Sequence, residues 1–234
     1  MNICIPYKSE AHNGIELKYA LRSIEKYLTG YEDIYLIGDK FPAWLQNVKF
    51  VNVSEPEKKT SRNILAKIMA SFEHAGDTVL QWQDDIYLTK PLDIQNIKYW
   101  YEGTLEQAIE RSHGGYKSLV ENTARQITEN GKFYDVHTPI IYHKKFLELV
   151  LSKYKWHKYQ YLVKTLYCKQ IPEWLIGRSD EIKDCKLHGP DTKENRLNKI
   201  KDALFFSTSP QSIDLDMIEI FETLYHEKSK YEIN

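Results

Sequence analysis

VLQWQDDIYLTKP, residues 79–91, decides how the rest of the chain is read. Val79, Leu80 and Trp82 are apolar, Asp84 and Asp85 are adjacent acids, and Ile86, Tyr87 and Leu88 return to apolar. The pattern is a buried strand that ends in two carboxylates. Carboxylates enclosed by apolar runs are costly unless a cation meets them. In open α/β sheets, ligands bind beyond the carboxyl ends of the strands. Mg²⁺ and Mn²⁺ take oxygen ligands and are commonly held by one or two carboxylates plus the phosphates of a substrate. The strand end is therefore expected to hold a metal and a diphosphate. A solvated turn is the plainer alternative, and the apolar flanks weigh against it.

Upstream, residues 2–6 (NICIP) read as a short buried strand. Between Gly14 and Gly30 the apolar residues Leu17, Ala20, Leu21, Ile24, Tyr27 and Leu28 recur at helical spacing, with Gly30 as the stop. Strands are expected at 33–39 and 48–53, a polar loop at 54–61, a helix at 62–75 and a strand at 77–83. The order β-α-β-β-α-β predicts a mostly parallel sheet with helices on both faces. Downstream the pattern becomes more helical. Helices are expected at 105–115, ending at Gly114-Gly115, then at 116–131, 144–154 and 214–228. Extended segments are expected at 134–142 and 203–209. No repeat, low-complexity tract or linker interrupts the chain, so one domain over 1–234 is expected.

Of 234 residues, 42% are hydrophobic and 28% charged, enough apolar material for a globular core. The formal net charge of −1 leaves only a local patch, not a global field, to attract nucleic acid. Cys4, Cys168 and Cys185 are odd in number and lack metal-ligand spacing, which argues against a disulfide framework. The opening MNICIPYKSE lacks signal-peptide features, and no apolar run approaches the ~18 residues of a membrane span. A cytoplasmic protein without a transmembrane segment is expected.

Three further segments carry candidate chemistry. Asp135 and His137 stand in YDVHTP, where a histidine can act as base, ligand or phosphate-binding cation. The stretch 177–191, GRSDEIKDCKLHGPD, offers Asp180 or Glu181 as a general base and Lys186 as a partner for phosphate charge. Residues 152–164, SKYKWHKYQYLVK, interleave lysines with aromatics, which suits flipped-out bases or sugar rings as well as an amphipathic helix.

Several blocks stand in an order that resembles the GT-A-type nucleotide-sugar glycosyltransferases: NICIPYKS, LRSIEKYL, IYLIGDKFPAWL, the Arg-Asn of SRNILAKI, WQDDIYLTKP and DVHTPIIYHKKFLEL. More narrowly, they are similar to Stealth-like sugar-phosphate transferases and small bacterial and phage glycosyltransferases. The acids stand as Gln-Asp-Asp rather than a strict D-x-D. The start, Ile-Pro-Tyr-Lys, lacks the Trp-Val-Asp-Gly of the longer Stealth proteins and favours ordinary glycosyl transfer. The resemblance implies a GT-A-like, Rossmann-like α/β fold with a helix-rich C-terminal half. It implies a nucleotide-sugar half at 1–92 and an acceptor half at 93–234.

By the same resemblance, Pro6, Tyr7 and Lys8 line the nucleotide pocket, Arg22 points at it, and Asp39 lies near the base or ribose. Arg62 and Asn63 open a helix toward phosphate. Asp84 reaches the ribose or a metal-bound water, and Asp85 binds Mn²⁺ or Mg²⁺ with His188 as a late ligand. Asp135, His137 and Asp180 are the catalytic candidates. The donor is a nucleotide-diphospho-sugar, and the acceptor is a glycan or a modified nucleic acid. Sugar-1-phosphate transfer, glycosylation of modified bases in phage DNA, and a binding module without catalysis are the alternatives.

Overall fold

In chain order the elements are β1 (Asn2–Tyr7), α1 (Ile15–Tyr27), β2 (Leu28–Thr29), β3 (Ile34–Gly38), β4 (Lys49–Asn52), α2 (Thr60–Ala75), β5 (Thr78–Gln81), β6 (Ile86–Leu88) and β7 (Leu92–Asp93). They continue as β8 (Tyr99–Tyr101), α3 (Leu105–Arg111), α4 (Gly114–Ala124), β9 (Ile140–His143), α5 (Lys144–Lys153) and α6 (Val163–Cys168). The last are β10 (Ile176–Arg178), α7 (Ser179–Ile182), β11 (Cys185–Leu187), α8 (Lys193–Ile200), β12 (Phe205–Thr208) and α9 (Leu215–Leu224). The structure is a computed structural model that describes residues 1–8, 14–54, 60–127, 131–154, 156 and 160–233.

The described chain divides into two units. The first comprises 1–97, 137–141 and 182–234; the second comprises 98–136 and 142–181. The first is built on a five-stranded sheet in the order β4-β3-β1-β5-β9. The pairs β1–β3, β1–β5 and β3–β4 are parallel, with Ile3 opposite both Ile34 and Leu80. Every residue of β3, IYLIG, is buried, as expected of a strand covered on both faces. From β1 the chain runs through α1 to β3 on one side, and from β4 through α2 to β5 on the other. The strand order thus reverses at β1/β5, and the crevice beyond those two carboxyl ends is a ligand position. A second, three-stranded sheet, β11-β12-β6, adds an antiparallel β12–β6 pair. Its side chains Tyr87, Phe206 and Leu187 pack with Tyr19 and Ala20 of α1 and Met217 and Phe221 of α9. The Tyr19 and Phe221 rings stack at 4.5 Å between centroids.

The second unit holds the α3–α4 pair around Leu105, Ala108, Val120, Phe133 and Leu162. Thr104 caps α3 in a reciprocal box with Gln107. β8 and β10 pair in parallel.

Several local expectations shift. The first helix stops at Tyr27, three residues before Gly30, because Leu28 and Thr29 pair with Leu92 and Asp93 as a short ladder. Gly114-Gly115 opens α4 instead of closing α3, which ends at Arg111; Gly114, at φ +55°, turns the chain between the two helices. The helix expected to reach Gly131 ends at Ala124, and the strand expected from 134 begins at Ile140. Residues 55–59 of the polar loop and Lys155, His157, Lys158 and Tyr159 of the basic-aromatic segment lie outside the described residues.

Candidate active site

β5 ends at Gln81, and the chain leaves the sheet beneath a fixed indole. The Trp82 amide donates to the Cys4 carbonyl (2.9 Å), and Trp82 Nε1 donates to the Ile86 carbonyl (2.9 Å). Ile86 N donates to Gln83 O at 3.3 Å, closing a turn with Asp84 and Asp85 at its tip. Across β6, Thr208 N donates to Asp85 O at 3.2 Å. The acids therefore sit at the carboxyl end of β5, beside the end of β1. Pro6, Glu16, Gln81 and Gln83 share a pocket of about 250 Å³ with them.

Glu16 is buried, and the residues that hold it are buried too. Thr208 Oγ1 donates to Glu16 Oε1 (2.8 Å), while the Tyr87 hydroxyl lies 3.1 Å from Thr208 Oγ1. Lys67 on α2 is 3% exposed, and its Nζ donates to the carbonyl of Tyr7 (2.5 Å) at the end of β1. Burial pushes the Asp84 carboxyl up to about 8, with repulsion from Asp85 and Glu16 adding and the Lys67 ammonium opposing. Burial likewise pushes Asp85 up to about 6, while the Lys186 ammonium pulls it down and Glu16 raises it. Asp85 Oδ1 is buried and makes no hydrogen bond.

These donors fit a hard dication. The fit rests on an orphaned carboxylate oxygen and on two acids that burial and nearby carboxylates hold above the usual range. Among the described residues no three His, Cys, Asp or Glu side chains converge into a complete ligand set. Substrate oxygens and water would fill the other positions, as is common for Mg²⁺.

Other candidates fall nearby or elsewhere. Pro6 lines the pocket. The Tyr7 phenol is raised by burial and then by Asp84 and Asp39, so it lies within reach of both charges. Asp39 is exposed just past β3, and Lys8 is exposed just past β1. Arg62 is half-buried and Asn63 buried in the first turn of α2, one turn before Lys67. His188 is exposed, one residue beyond β11, where Leu187 pairs with Thr208. That places it at the same end of the small sheet as Asp85, two strands across, or about 10 Å at ordinary strand spacing.

His137 is half-buried, with Nε2 2.7 Å from Lys186 Nζ and Nδ1 at 3.4 Å. An ammonium only donates, so Nε2 accepts, and its lone pair is turned to a cation. Asp135, in the second unit, accepts from the Tyr116 hydroxyl (2.6 Å). Asp180, in the same unit, is exposed and gripped through both oxygens by Arg178 (3.1 and 2.5 Å).

Arg22 departs from its expected role. Its Nε and Nη2 bind the two oxygens of Glu232 (2.7 and 2.9 Å), and Nη1 donates to Tyr225 O (2.9 Å). The guanidinium is thus committed to the C-terminal segment. Sequence reading missed Glu16 and Lys67. Glu16 stands four residues before Ala20 on the buried face of α1. Asn63, Lys67 and Ser71 form a buried polar row at i, i+4, i+8 on α2. A charged residue in such a row is the signal that was available.

No protein-family model matches the chain, and no curated protein matches it significantly. Solved structures do. An active-site mutant of LgtC aligns over 98% of this chain and 97% of its own, at 12% identity and a TM-score of 0.51. The galactosyltransferase LgtC in complex with donor and acceptor sugar analogues aligns over the same shares at 13% identity and 0.50. The fold is GT-A-like. A glycosyltransferase involved in glycosylation of the major capsid of PBCV-1 also aligns, over 95% of this chain and 100% of that one, at 18% identity and 0.45. Within the GT-A-like frame, the acid turn follows the strand beside β1, at the crevice where the strand order reverses. Among the described residues, no helix is long and apolar enough to cross a membrane.

Proposed function

We propose that the protein is a metal-dependent glycosyltransferase that moves a sugar from a nucleotide-diphospho-sugar to an acceptor hydroxyl. One observation carries this reading: Asp84 and Asp85 project at the β1/β5 switch point, with Asp85 Oδ1 buried and unsatisfied. Asp85 and Asp84 would hold Mn²⁺ or Mg²⁺, with substrate oxygens and water in the remaining positions; His188, two strands across the small sheet, does not converge on them. Such an ion supplies neutralisation of the charge that gathers on a departing diphosphate.

The chain's own residues do the rest. Pro6 and Tyr7 at the end of β1, Lys8 just after it and Asp39 just after β3 form the nucleotide side. Asn63 and Arg62 face it from the start of α2. Lys67 ties the end of β1 in place through the Tyr7 carbonyl. In the transfer, the acceptor oxygen bonds to the anomeric carbon and its proton passes to a base. The electron pair of the broken carbon–oxygen bond stays on the diphosphate. Of the two candidate bases, Asp135 has one oxygen outside its Tyr116 bond, whereas Arg178 engages both oxygens of Asp180.

The test is a thermal-shift screen of nucleotides and nucleotide-sugars, each with and without Mn²⁺, on the native protein and Asp85→Ala. A ligand that binds only the folded state raises the melting temperature by mass action. We expect one nucleoside diphosphate to stabilise the native protein only with Mn²⁺, and Asp85→Ala not to respond. If no nucleotide moves the native protein under any condition, the transferase reading is wrong.

A further inference from the structure

We propose that Glu16 is a specificity-determining residue that reads the donor sugar, its carboxylate accepting hydrogen bonds from sugar hydroxyls while the acid turn faces the diphosphate. This rests on the glycosyltransferase reading. Glu16 lies in the first turn of α1, where a helix favours negative charge. An acid placed there only for the helix would point into water. Glu16 instead is 5% exposed and lines the same pocket as Asp84 and Asp85. The start of α1 is closely packed as well: Gly14, at φ +76°, precedes it, and a Cβ there would lie 3.2 Å from the Trp44 indole and 3.4 Å from the Tyr7 hydroxyl.

Two buried hydroxyls aim the carboxylate. Thr208 has one hydroxyl proton and gives it to Glu16 Oε1 (2.8 Å), so the Tyr87 hydroxyl, 3.1 Å away, donates to Thr208 Oγ1. The row of donors runs from β6 through β12 and ends on the acid. The Thr208 amide also donates to Asp85 O (3.2 Å), so one residue sets Glu16 against the acid turn. A carboxylate offers about four lone-pair sites, and Thr208 fills one.

The chemistry of the pocket decides what meets the rest. Among the described residues no three His, Cys, Asp or Glu side chains converge, so Glu16 shares the pocket with the acid pair without completing a metal ligand set. A carboxylate repels phosphate oxygens and only accepts, so its partner must donate. The sugar would hang from the diphosphate into this space, and its hydroxyls are donors. Hydroxyl-to-carboxylate bonds are charge-assisted, and a site built to bond a hydroxyl rejects analogues that lack it. Glu16 exchanges no proton in the transfer.

Calorimetric titration with Mn²⁺ present tests this, using UDP, ADP, CDP and GDP beside UDP-glucose, UDP-galactose, ADP-glucose, CDP-glucose and GDP-mannose. The melting temperature of each protein is recorded. Glu16→Gln keeps the shape and an acceptor for Thr208 but loses the charge. It should leave the affinity for the diphosphate within about twofold and weaken that for its sugar conjugate about five- to tenfold. A second measurement needs no variant to fold: conjugates with one hydroxyl at a time replaced by fluorine, which cannot donate. The native protein should bind at least one of them about tenfold more weakly, and Glu16→Gln should lose much less on that same analogue, because the two changes remove one contact. Equal weakening of diphosphate and conjugate in Glu16→Gln would assign the acid to the metal, the ribose or the fold and overturn the inference, leaving the transferase reading standing. So would a native protein indifferent to every fluorinated conjugate, or one that binds a diphosphate but none of its conjugates. If the native protein binds no nucleotide at all, the transferase reading and this inference fall together.

Discussion

Asp84 is an acid that the fold keeps protonated at neutral pH. Its carboxyl is pushed up to about 8 and that of Asp85 to about 6, with burial the largest cause in each. A metal needs both as carboxylates, so binding must expel protons. Mn²⁺ affinity should therefore climb between pH 6 and 8 and level off above, as a titration of Mn²⁺ at several pH values would show. The same shifts set the stability of the metal-free protein. Both folded pKa values lie above the unfolded 3.8, so the folded state holds protons that the unfolded chain releases. The stability these two groups contribute is greatest in acid and is lost as pH rises through about 6 and then about 8. Asp84→Asn removes the charge and should stabilise the metal-free protein at pH 9 by roughly 1–3 kcal/mol, allowing for solvent screening of a half-buried group. The gain should shrink toward pH 5. No gain at pH 9 would mean that the carboxylate is well solvated. The acid pair was legible in the sequence because two charges between apolar runs break the pattern. Glu16 and Lys67 were not, because single charges on helices with a solvated face look ordinary.

For whole elements, legibility followed length. The buried strands β1 and β3, of six and five residues, and the amphipathic helices α1, α2, α5 and α9 carry enough residues to show a period, while β5, with only four residues, is marked instead by the two acids that follow it. β2, β7, β10 and β11 have only two or three residues each, too few for any alternation to register. They exist because partners from distant parts of the chain complete their ladders, and no local pattern encodes that. Helix ends depend on such detail too. Asp214 caps α9 by accepting from Met217 N (2.9 Å), and the same carboxylate binds Arg196 Nη1 and Nη2 (2.5 and 2.7 Å). Arg196 is wholly buried on α8. Asp214→Ala removes a cap and leaves a buried guanidinium unpaired, so we expect a loss of about 2–4 kcal/mol in urea denaturation. Asp214→Asn keeps the cap and should lose less. Equal losses would assign the whole effect to the ion pair.

Over the whole molecule, the two ends of the chain are tied together. Arg22 and Glu232 form a buried pair, 4% and 6% exposed, and Glu232 Oε1 also accepts from Ser229 N at 2.9 Å. Removing one partner strands a buried charge, so Glu232→Ala should cost about 3–5 kcal/mol, while Arg22→Met/Glu232→Leu should cost much less. Thermal unfolding of the three proteins checks this; similar melting temperatures for the single and double variants would contradict it.

The bond from Thr208 to Glu16 spans 192 residues, and Thr208 also pairs with the turn that carries Asp85. On a ribosome adding about 5–20 residues per second, Asp85 emerges roughly 6–25 s before Thr208. Through that interval a nascent chain holds both acids but neither the strand nor the hydroxyl that seats them. The pocket is therefore a late product of synthesis, and a chain halted before its last strand would display the acid motif without a place to use it.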